Sequence, residues 1–330
     1  MKISIAMATY NGADYLPAQL ESLAAQTRRP DELVVTDDCS TDETLRILDA
    51  FSRTAPFEVF YERNERTLGY GANFNKALLK TTGDLVFICD QDDVWFPQKI
   101  ERIARVAEAD PRKHVIMNDA ALTDAKLNDC GLTKLGQIYS AGFDESYFVM
   151  GCCAAVKRDL LNLCLPIPEG YPSHDAWVVS IAEGMGRKHI IREVLQYYRR
   201  HSKNQSQIVV NRISRVRRSH VLLSQLRKGA GRLFGLSDTS RGSVAIDGSH
   251  QSILLKWARG AAEGTTEPFC SELRQYVARL EVYVGALEKR SVIRQRGFLP
   301  RVAQAILFWR SGGYAAFSGA KTLLRDIFSL

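Results

Sequence analysis

The 330-residue sequence lacks any uninterrupted apolar run of about eighteen residues, the length that a membrane-spanning helix needs. Its seven cysteines form no CxxC pair, and their odd number leaves one unpaired in any disulfide scheme. These absences argue against a membrane-spanning protein, a zinc ribbon and a secreted disulfide scaffold. The first residues, 1–11, follow a strand pattern and show no features of a signal peptide. We therefore expect a cytoplasmic protein.

Two phosphate-binding motifs are also missing. The sequence contains neither GxGxxG nor GxxxxGK followed by Ser or Thr, so neither a Rossmann pyrophosphate loop nor a P-loop is supported. No aromatic RNA-binding pattern or recognition motif accompanies the net charge of +7, which argues against nucleic acid as a partner. The hydrophobic fraction of 45% is large enough for one large or two smaller packed domains.

Strand and helix patterns alternate through the first 120 residues. Strands are predicted at 3–9, 32–37, 57–61, 84–89 and 114–118, and helices at 15–26, 41–51, 72–80 and 98–109. Such alternation predicts an α/β fold, with a mostly parallel sheet and helices on both of its faces.

Polar clusters follow three of the predicted strands, at 8–12, 36–42 and Asp90-Gln91-Asp92-Asp93. Because the carboxyl ends of parallel strands meet at one edge of a sheet, we expect these clusters to lie together. Three carboxylates this close repel one another unless a cation lies between them, and a hard divalent ion takes oxygen ligands. The sequence therefore predicts a Mg²⁺ or Mn²⁺ site at Asp90, Asp92 and Asp93.

Helix capping is the alternative explanation for these acids. One of Asp92 and Asp93 could cap the helix that follows Pro97, and residues 40–43 suit a helix cap as well. A single Asp satisfies a cap, however, and capping does not explain Asp37 and Asp38. A carboxylate there could accept hydrogen bonds from a nucleotide base or ribose. With no glycine-rich loop, the metal would have to hold the phosphates.

Three segments of the chain resemble the family 2 glycosyltransferases, which have the Rossmann-like GT-A fold. These segments are Met7-Ala8-Thr9-Tyr10-Asn11-Gly12, Val35-Thr36-Asp37-Asp38-Cys39-Ser40-Thr41-Asp42 and Asp90-Gln91-Asp92-Asp93-Val94-Trp95. The DQDDVW form, with Gly151-Cys152-Cys153 and His174-Asp175-Ala176-Trp177 downstream, resembles the bacterial rhamnosyltransferases of cell-surface polysaccharide (O-antigen type) biosynthesis. The resemblance implies a catalytic GT-A domain at 1–207 and dTDP-rhamnose as the donor.

The resemblance also implies roles for individual residues. The nucleotide-sugar site would comprise Thr9, Tyr10, Asn11, Asp38, Asp90 and Gln91. The metal would be bound by Asp90 and Asp92, with Asp93 joining them and a histidine after the last core strand, here His201, completing the shell. Asp175 would be the catalytic base. Cys39 stands where the family often has Gly or Asn, and the QxxRW motif of processive members is missing, so we expect a single transfer per encounter.

The chemistry of such a transfer needs two groups. A divalent metal relieves the charge on the departing nucleoside diphosphate, and a separate carboxylate deprotonates the incoming hydroxyl. If Asp175 acts from the opposite ring face, the anomeric configuration inverts, as it does in inverting glycosidases. We therefore predict an inverting, metal-dependent hexosyltransferase.

Residues around these groups have less specific signals. Arg199, just before His201, could close over the diphosphate, and the alternative is a solvated basic loop. Gly151, Cys152 and Cys153 are predicted to form part of a strand and to line the acceptor side as small core residues. Trp177 is either a packing residue or a platform for an acceptor sugar ring.

The C-terminal part of the chain is basic. Residues 211–330 hold 20 Lys and Arg against 8 Asp and Glu, and helices are predicted at 209–226, 271–289 and 299–309. A helical region at 208–330 could lie on an anionic membrane, at the inner face of the plasma membrane beside a glycan or lipid-linked acceptor. A packing or homo-oligomerisation domain is the alternative.

Two rival functions remain open at this point. A haloacid-dehalogenase type phosphatase also places Asp-x-Asp at a strand end, but on its first strand, whereas the motif here lies on about the fourth. A catalytically degenerate sugar-nucleotide-binding scaffold is the other rival, and the intact acidic clusters and Asp175 argue against it.

Overall fold

The computed structural model describes residues 1–171, 173–204, 209–217, 248–266, 268–317 and 319–328. The chain divides into two compact units, Met1–Val221 and Leu222–Leu330. The boundary predicted after residue 207 falls inside the first of these units.

The first unit is built on a nine-stranded sheet. Its strands are β1 (Ile3–Thr9), β2 (Glu32–Asp37), β3 (Glu58–Arg63), β4 (Leu85–Asp90), β5 (Val94–Trp95), β6 (Val115–Thr123), β7 (Asp129–Thr133), β8 (Ala154–Lys157) and β9 (Lys188–Arg199). Their order is β3-β2-β1-β4-β8-β6-β9-β5, with β7 paired to β6. The first four strands of this order run parallel, β8 is antiparallel to both neighbours, and β9 is parallel to β6.

Helices of the first unit follow the strands in the predicted alternation. They are α1 (Leu16–Ala24), α2 (Thr44–Ser52), α3 (Tyr70–Lys80), α4 (Lys99–Ala109), α5 (Lys134–Ser140), α6 (Arg158–Cys164) and α7 (His174–Gly184). The predicted α/β architecture is confirmed. The start of α3 lies two residues before the predicted one, immediately after Gly69, whose φ of 85° suits glycine.

Side chains of the parallel strands alternate between two helical layers, as the pleat of a strand requires. Ile3, Ile5 and Met7 of β1 join a core cluster with side chains of α1 and α4. The opposite face packs against α3, which buries Phe74, Ala77 and Leu78. The sheet is therefore covered on both faces, and its chemistry is confined to the edge where the strands end.

Two local predictions are wrong. Gly151–Cys153, expected to be part of a strand, forms a 3-10 helix, and β8 begins only at Ala154. The helix predicted at 209–226 is wrong for the described residues 209–217, which form a 3-10 turn at Val209–Asn211 followed by the non-helical residues 212–217. The side-chain amide of Gln137 binds the backbone of Arg212, Ser214 and Val216, which occupies groups that a helix would need. Residues 218–226 lie outside the described part of the chain.

The second unit is helical in its described residues. Its helices are α8 (Gly248–Gly264), α9 (Cys270–Gln295), α10 (Phe298–Arg310) and α11 (Ala320–Phe328). The helices predicted at 271–289 and 299–309 are confirmed as parts of α9 and α10. Among the residues described, no helix combines the length and the apolar character needed to cross a bilayer.

Candidate active site at the carboxyl edge of the sheet

The strand register brings the three predicted polar clusters to one edge. Ala8 lies opposite Asp90 of β4, and Thr9 lies opposite Asp37 of β2. Because all three strands are parallel, the loops that follow them leave the sheet side by side. The DQDD segment therefore meets the ends of β1 and β2, as the sequence pattern predicts.

The carboxylate of Asp90 has an unusual environment. Burial, followed by the negative charges of Asp92 and Asp175, raises the pKa of Asp90 from its usual range to about 7. Asp92 and Asp175 come from different parts of the chain, so the fold concentrates negative charge at this point. A cation bound here would relieve the repulsion.

Asp175, the predicted catalytic base, lies in the first turn of α7. Its Oδ2 accepts a hydrogen bond of 3.1 Å from the backbone N–H of Gly151. The side chain of Ser173 caps the same helix. A Cβ at position 151 would lie 2.9 Å from His174 Nε2 and 3.2 Å from Asp175 Cβ. Gly151 is therefore required by the close approach of its backbone to α7.

Tyr15, at the start of α1, stacks with two side chains from the end of β9 and the residues after it. The ring of Tyr15 stacks on His201 at 4.2 Å, and the guanidinium of Arg199 lies 5.0 Å above Tyr15. His201 Nε2 is 2.8 Å from Asp92 Oδ2, and Asn204 donates to the same oxygen at 3.0 Å. The Lys203 N–H donates to His201 Nδ1 at 3.2 Å, which orients the ring with Nε2 toward Asp92.

Arg199 is buried with spare hydrogen-bonding capacity. Its side chain is 6% exposed, and its Nε and Nη2 have no partner among the described residues. A buried guanidinium is costly without an acceptor, and a phosphate is the acceptor that its geometry suits.

Comparison with known proteins bears on this geometry. Residues 4–163 match the family model described as glycosyl transferase family 2. The matched segment is just under half of the 330 residues. The match spans β1 to β8 and so contains the DQDD segment. Because the family and the position of this segment on the fourth strand agree, the phosphatase alternative is not favoured.

Two curated relatives named as glycosyltransferases match part of this chain. An uncharacterized glycosyltransferase of Nostoc sp. is 29% identical over 216 residues, which are 62% of this chain and 66% of that protein. An uncharacterized glycosyltransferase of Haemophilus influenzae is 31% identical over 118 residues, 36% of this chain and 38% of that protein. The chain thus spans less than two thirds of these relatives' length.

A solved structure shares the fold. Staphylococcus aureus TarS 1–349, crystallised in complex with UDP-GlcNAc, superposes with a TM-score of 0.55 at 16% identity, covering 96% of this chain and 84% of that one. In sequence, poly(ribitol-phosphate) beta-N-acetylglucosaminyltransferase TarS is 30% identical over 150 residues, 45% of this chain and 23% of TarS. The GT-A architecture predicted from the sequence is confirmed.

Four of the residues predicted to bind the nucleotide sugar have hydrogen-bond partners within the first unit. They are Thr9, Asn11, Gln91 and Asp38. The amide of Gln91 makes two hydrogen bonds of 3.0 Å with the backbone of Tyr10. Thr9 is buried and donates to Asp37, and the side chain of Asn11 accepts from the Thr41 N–H. These hydrogen bonds join the segments that follow β1, β2 and β4 at the edge of the sheet.

Asp38 also has a structural role. Its two oxygens accept hydrogen bonds from the backbone N–H groups of Leu68 and Gly69 and from the Asn64 amide. It therefore holds the loop before α3, which brings Tyr70 to the rim of the site. Tyr10, by contrast, is exposed at the end of β1 and available to a ligand.

Three further predicted site residues are buried in the first unit. Asp93 is fully buried and accepts from the Gln196 amide and the Arg199 N–H, and its carboxylate also lies with Asp90 and Cys152 in a group of potential metal ligands. Its role at a metal stays a prediction. Trp177 is fully buried with its indole N–H bonded to Cys164, which makes the predicted contact with an acceptor ring wrong. Cys152 is buried beside Asp90 and Asp93 and presents no surface to an acceptor.

The described residues contain one group with the spacing of metal ligands. Asp90, Asp93 and Cys152 have potential ligand atoms within 4.8 Å of one another. Burial raises the pKa of the Cys152 thiol well above its usual range, so it stays protonated and is a poor ligand for Mg²⁺ or Mn²⁺. Two other predicted ligands, Asp92 and His201, lie together, with 2.8 Å between Asp92 Oδ2 and His201 Nε2.

A buried polar relay beneath the site was not found from the sequence. Lys99 is fully buried, donates to the Cys152 carbonyl at 2.8 Å and to Gln196, and lies 3.8 Å above the Trp95 ring. Gln196 in turn donates to Asp93 at 2.9 Å. Lys99 sits in an ordinary amphipathic helix pattern, which gives no signal that its side chain points inward.

His174, the first residue of α7, is a buried packing residue. It is buried against Phe74 at 3.9 Å, and neither ring nitrogen has a partner in the described part of the chain. Burial lowers the pKa of His174, so the ring is neutral and packs behind Asp175.

Proposed function

We propose that this protein is an inverting, metal-dependent glycosyltransferase that moves a hexose from a nucleoside diphosphate sugar to a hydroxyl acceptor. The observation that carries the proposal is the position of Asp175. Its carboxylate is fixed by Gly151 and lies close enough to Asp90 to raise the pKa of that group. A base beside the predicted leaving-group site is what a single displacement requires.

The side chains divide the work of this reaction. Asp175 accepts the proton of the acceptor hydroxyl, while the Gly151 N–H keeps its Oδ2 in place. Arg199, with two N–H groups available, binds a phosphate oxygen of the donor. Asp90, Asp92 and His201 would hold a divalent ion, which would supply Lewis acidity at the diphosphate. Displacement from the face opposite the leaving group inverts the anomeric carbon.

The identity of the donor rests on two different supports. Resemblance of the DQDDVW segment to rhamnosyltransferases favours dTDP-rhamnose. The likeness to TarS, a beta-N-acetylglucosaminyltransferase crystallised with UDP-GlcNAc, favours UDP-GlcNAc instead. Both donors therefore belong in the first assay.

The acceptor we propose is a glycan or a lipid-linked glycan of cell-surface polysaccharide assembly, met at the cytoplasmic face of the membrane. A one-transfer enzyme suits this setting, since the QxxRW motif of processive members is missing. Homo-oligomerisation through the C-terminal helices remains the alternative use of the second unit.

The experiment that tests the proposal measures nucleotide release from UDP-, dTDP- and GDP-sugars in the presence of Mn²⁺ or Mg²⁺. We expect turnover of one nucleotide class. Asp175→Asn should lower turnover by roughly 10²- to 10⁴-fold, the span of a general base, without weakening donor binding.

Asp49→Asn is the matched control, because Asp49 is an exposed residue of α2 that pairs with Arg53. It should leave both turnover and donor binding unchanged. Full activity of Asp175→Asn would end the assignment of Asp175 as the base.

A further inference from the structure

The last helix, α11, is folded with its polar side inward. Its two fully buried side chains are Thr322 and Asp326, whereas Leu324 is 52% exposed and Phe328 is 56% exposed. A helix that packs on a core normally shows the reverse arrangement. The apolar side of α11 is therefore not packed against the described residues of its own unit.

An ion pair fixes this orientation. Asp326 is fully buried and accepts two hydrogen bonds from Arg290 of α9, at 2.7 Å from Nε and 3.0 Å from Nη2. The Arg290 guanidinium also lies 4.4 Å above the Phe317 ring. Rotating α11 to bury Leu324 would break a buried, bidentate charge pair, which is strongly unfavourable.

The neighbouring helix α10 adds to the same apolar surface. Its only fully buried side chain is Ala305, while Leu299 is 78% exposed and Leu307 is 64% exposed. The two helices contact each other. We define the α10–α11 face by its exposed apolar side chains Phe298, Leu299, Leu307, Trp309, Leu324 and Phe328. Exposed apolar surface of this extent marks an interaction site.

Charge identifies the partner. Residues 289–328 contain eight Lys and Arg and one acidic residue, Asp326, which is the buried partner of Arg290. Two copies of this surface would bring like charges together. Apolar and aromatic side chains bordered by cations match the interfacial region of a bilayer that carries anionic lipid. We infer that the α10–α11 face docks on an anionic membrane surface.

This inference goes beyond the proposed transferase activity, because docking requires no donor, metal or catalytic base. It also gives the membrane expectation a defined location, in α10 and α11. The two proposals can therefore fail separately.

The test is co-sedimentation of the full chain with vesicles of phosphatidylcholine alone or with about 30% phosphatidylglycerol. We expect binding to the anionic vesicles that weakens as salt is raised. Leu307→Glu should lower the partition coefficient by about tenfold or more, since it places a charge in the apolar face. Leu324→Glu, on the other helix, should act in the same direction.

Leu79→Glu is the matched control. Leu79 is 54% exposed on α3 of the first unit, so the same substitution there changes the net charge equally. It should leave vesicle binding unchanged, and thermal unfolding should show that all variants are folded.

Three results would overturn the inference. One is a folded wild-type chain that ignores anionic vesicles, and another is an equal loss of binding in Leu79→Glu and Leu307→Glu. The third is a concentration-dependent dimer, measured by sedimentation without lipid, that Leu307→Glu abolishes. That result would assign the face to a second copy of the chain.

Discussion

At the scale of one residue, the buried carboxylate of Asp90 lowers the free energy of unfolding when it is ionised. Its pKa is raised to about 7 by burial and by Asp92 and Asp175. Between the usual Asp pKa and pH 7 the folded state binds more protons than the unfolded state, so the free energy of unfolding falls as pH rises. The cost is therefore largest above pH 7, where Asp90 is ionised.

Asp90→Asn should for this reason stabilise the metal-free protein at pH 8 and have a smaller effect at pH 5. One pKa unit corresponds to about 1.4 kcal/mol, and we expect a gain of about 1 kcal/mol or more at the higher pH. Urea denaturation with a chelator present measures it. An equal destabilisation at both pH values would contradict the assigned charge environment.

Cys39 is a second residue with a local cost. Its φ of 66° lies in the left-handed region, and its thiol donates to the Asn64 carbonyl at 3.1 Å. The left-handed conformation costs an L-residue roughly 1–2 kcal/mol, which accounts for the Gly or Asn that resembling proteins place there.

Substitutions at position 39 should follow this backbone preference. Cys39→Gly is expected to be neutral or to stabilise by up to about 1 kcal/mol, because relief of strain exceeds the lost thiol contact and the added chain entropy. Cys39→Val should destabilise by more than about 1 kcal/mol, since a branched side chain tolerates positive φ poorly. Equilibrium unfolding of the pair distinguishes backbone strain from side-chain packing. Equal stabilities of the two variants would argue against strain.

Individual site residues were predictable where sequence position determines location. Asp90 ends an apolar strand, Asp92 lies two residues after it, and His201 follows another strand. All three residues were therefore expected at the same edge of the sheet. The roles of Gln91 and Asp38 could not be foreseen, because their partners, Tyr10 and the 64–69 loop, depend on loop conformations that no local pattern encodes. Lys99 was missed because burial of a lysine depends on acceptors 53 and 97 residues away.

At the scale of elements, the relay of Lys99, Gln196 and Asp93 ties α4 to β9 and to the DQDD segment. Lys99 reaches the Cys152 carbonyl and Gln196, and Gln196 reaches Asp93. Burial lowers the pKa of Lys99. The relay fixes Asp93, whose Oδ1 accepts from the Arg199 N–H and so positions the end of β9.

Lys99→Met should cost about 1–3 kcal/mol in the free energy of unfolding, because it leaves buried acceptors unsatisfied. Lys80→Met is the control, since Lys80 makes an exposed ion pair with Glu62 that is worth less than about 1 kcal/mol. Chemical denaturation measures both. A cost for Lys99→Met no larger than that of the control would show that the relay does not stabilise the domain.

Elements were predicted well where hydrophobic periodicity is strong and poorly where side chains capture the backbone. The parallel strands β1, β2 and β4 are apolar runs closed by polar turns, and they were found close to their observed bounds. Residues 212–217 show a helical pattern in the sequence. Gln137 binds their backbone instead, a contact across more than 70 residues that local periodicity does not report.

At the scale of the whole molecule, the chain combines a GT-A-like α/β unit, which contains the segment that matches the family 2 glycosyltransferase model, with a basic helical unit. The first unit places carboxylates, His201 and Arg199 at one sheet edge, where a nucleoside diphosphate and a metal would bind together. The second unit has its own apolar and cationic surface. The proposal for each unit is argued from contacts within that unit alone.

The measurement that tests the account most directly is calorimetric titration with UDP, dTDP and GDP, each with and without Mn²⁺. We predict that one diphosphate binds at least about tenfold more tightly with Mn²⁺, and that Asp92→Asn removes this metal dependence. Equal affinity with and without metal, or no binding of any diphosphate to the folded protein, would contradict the assignment of the sheet edge as the donor site.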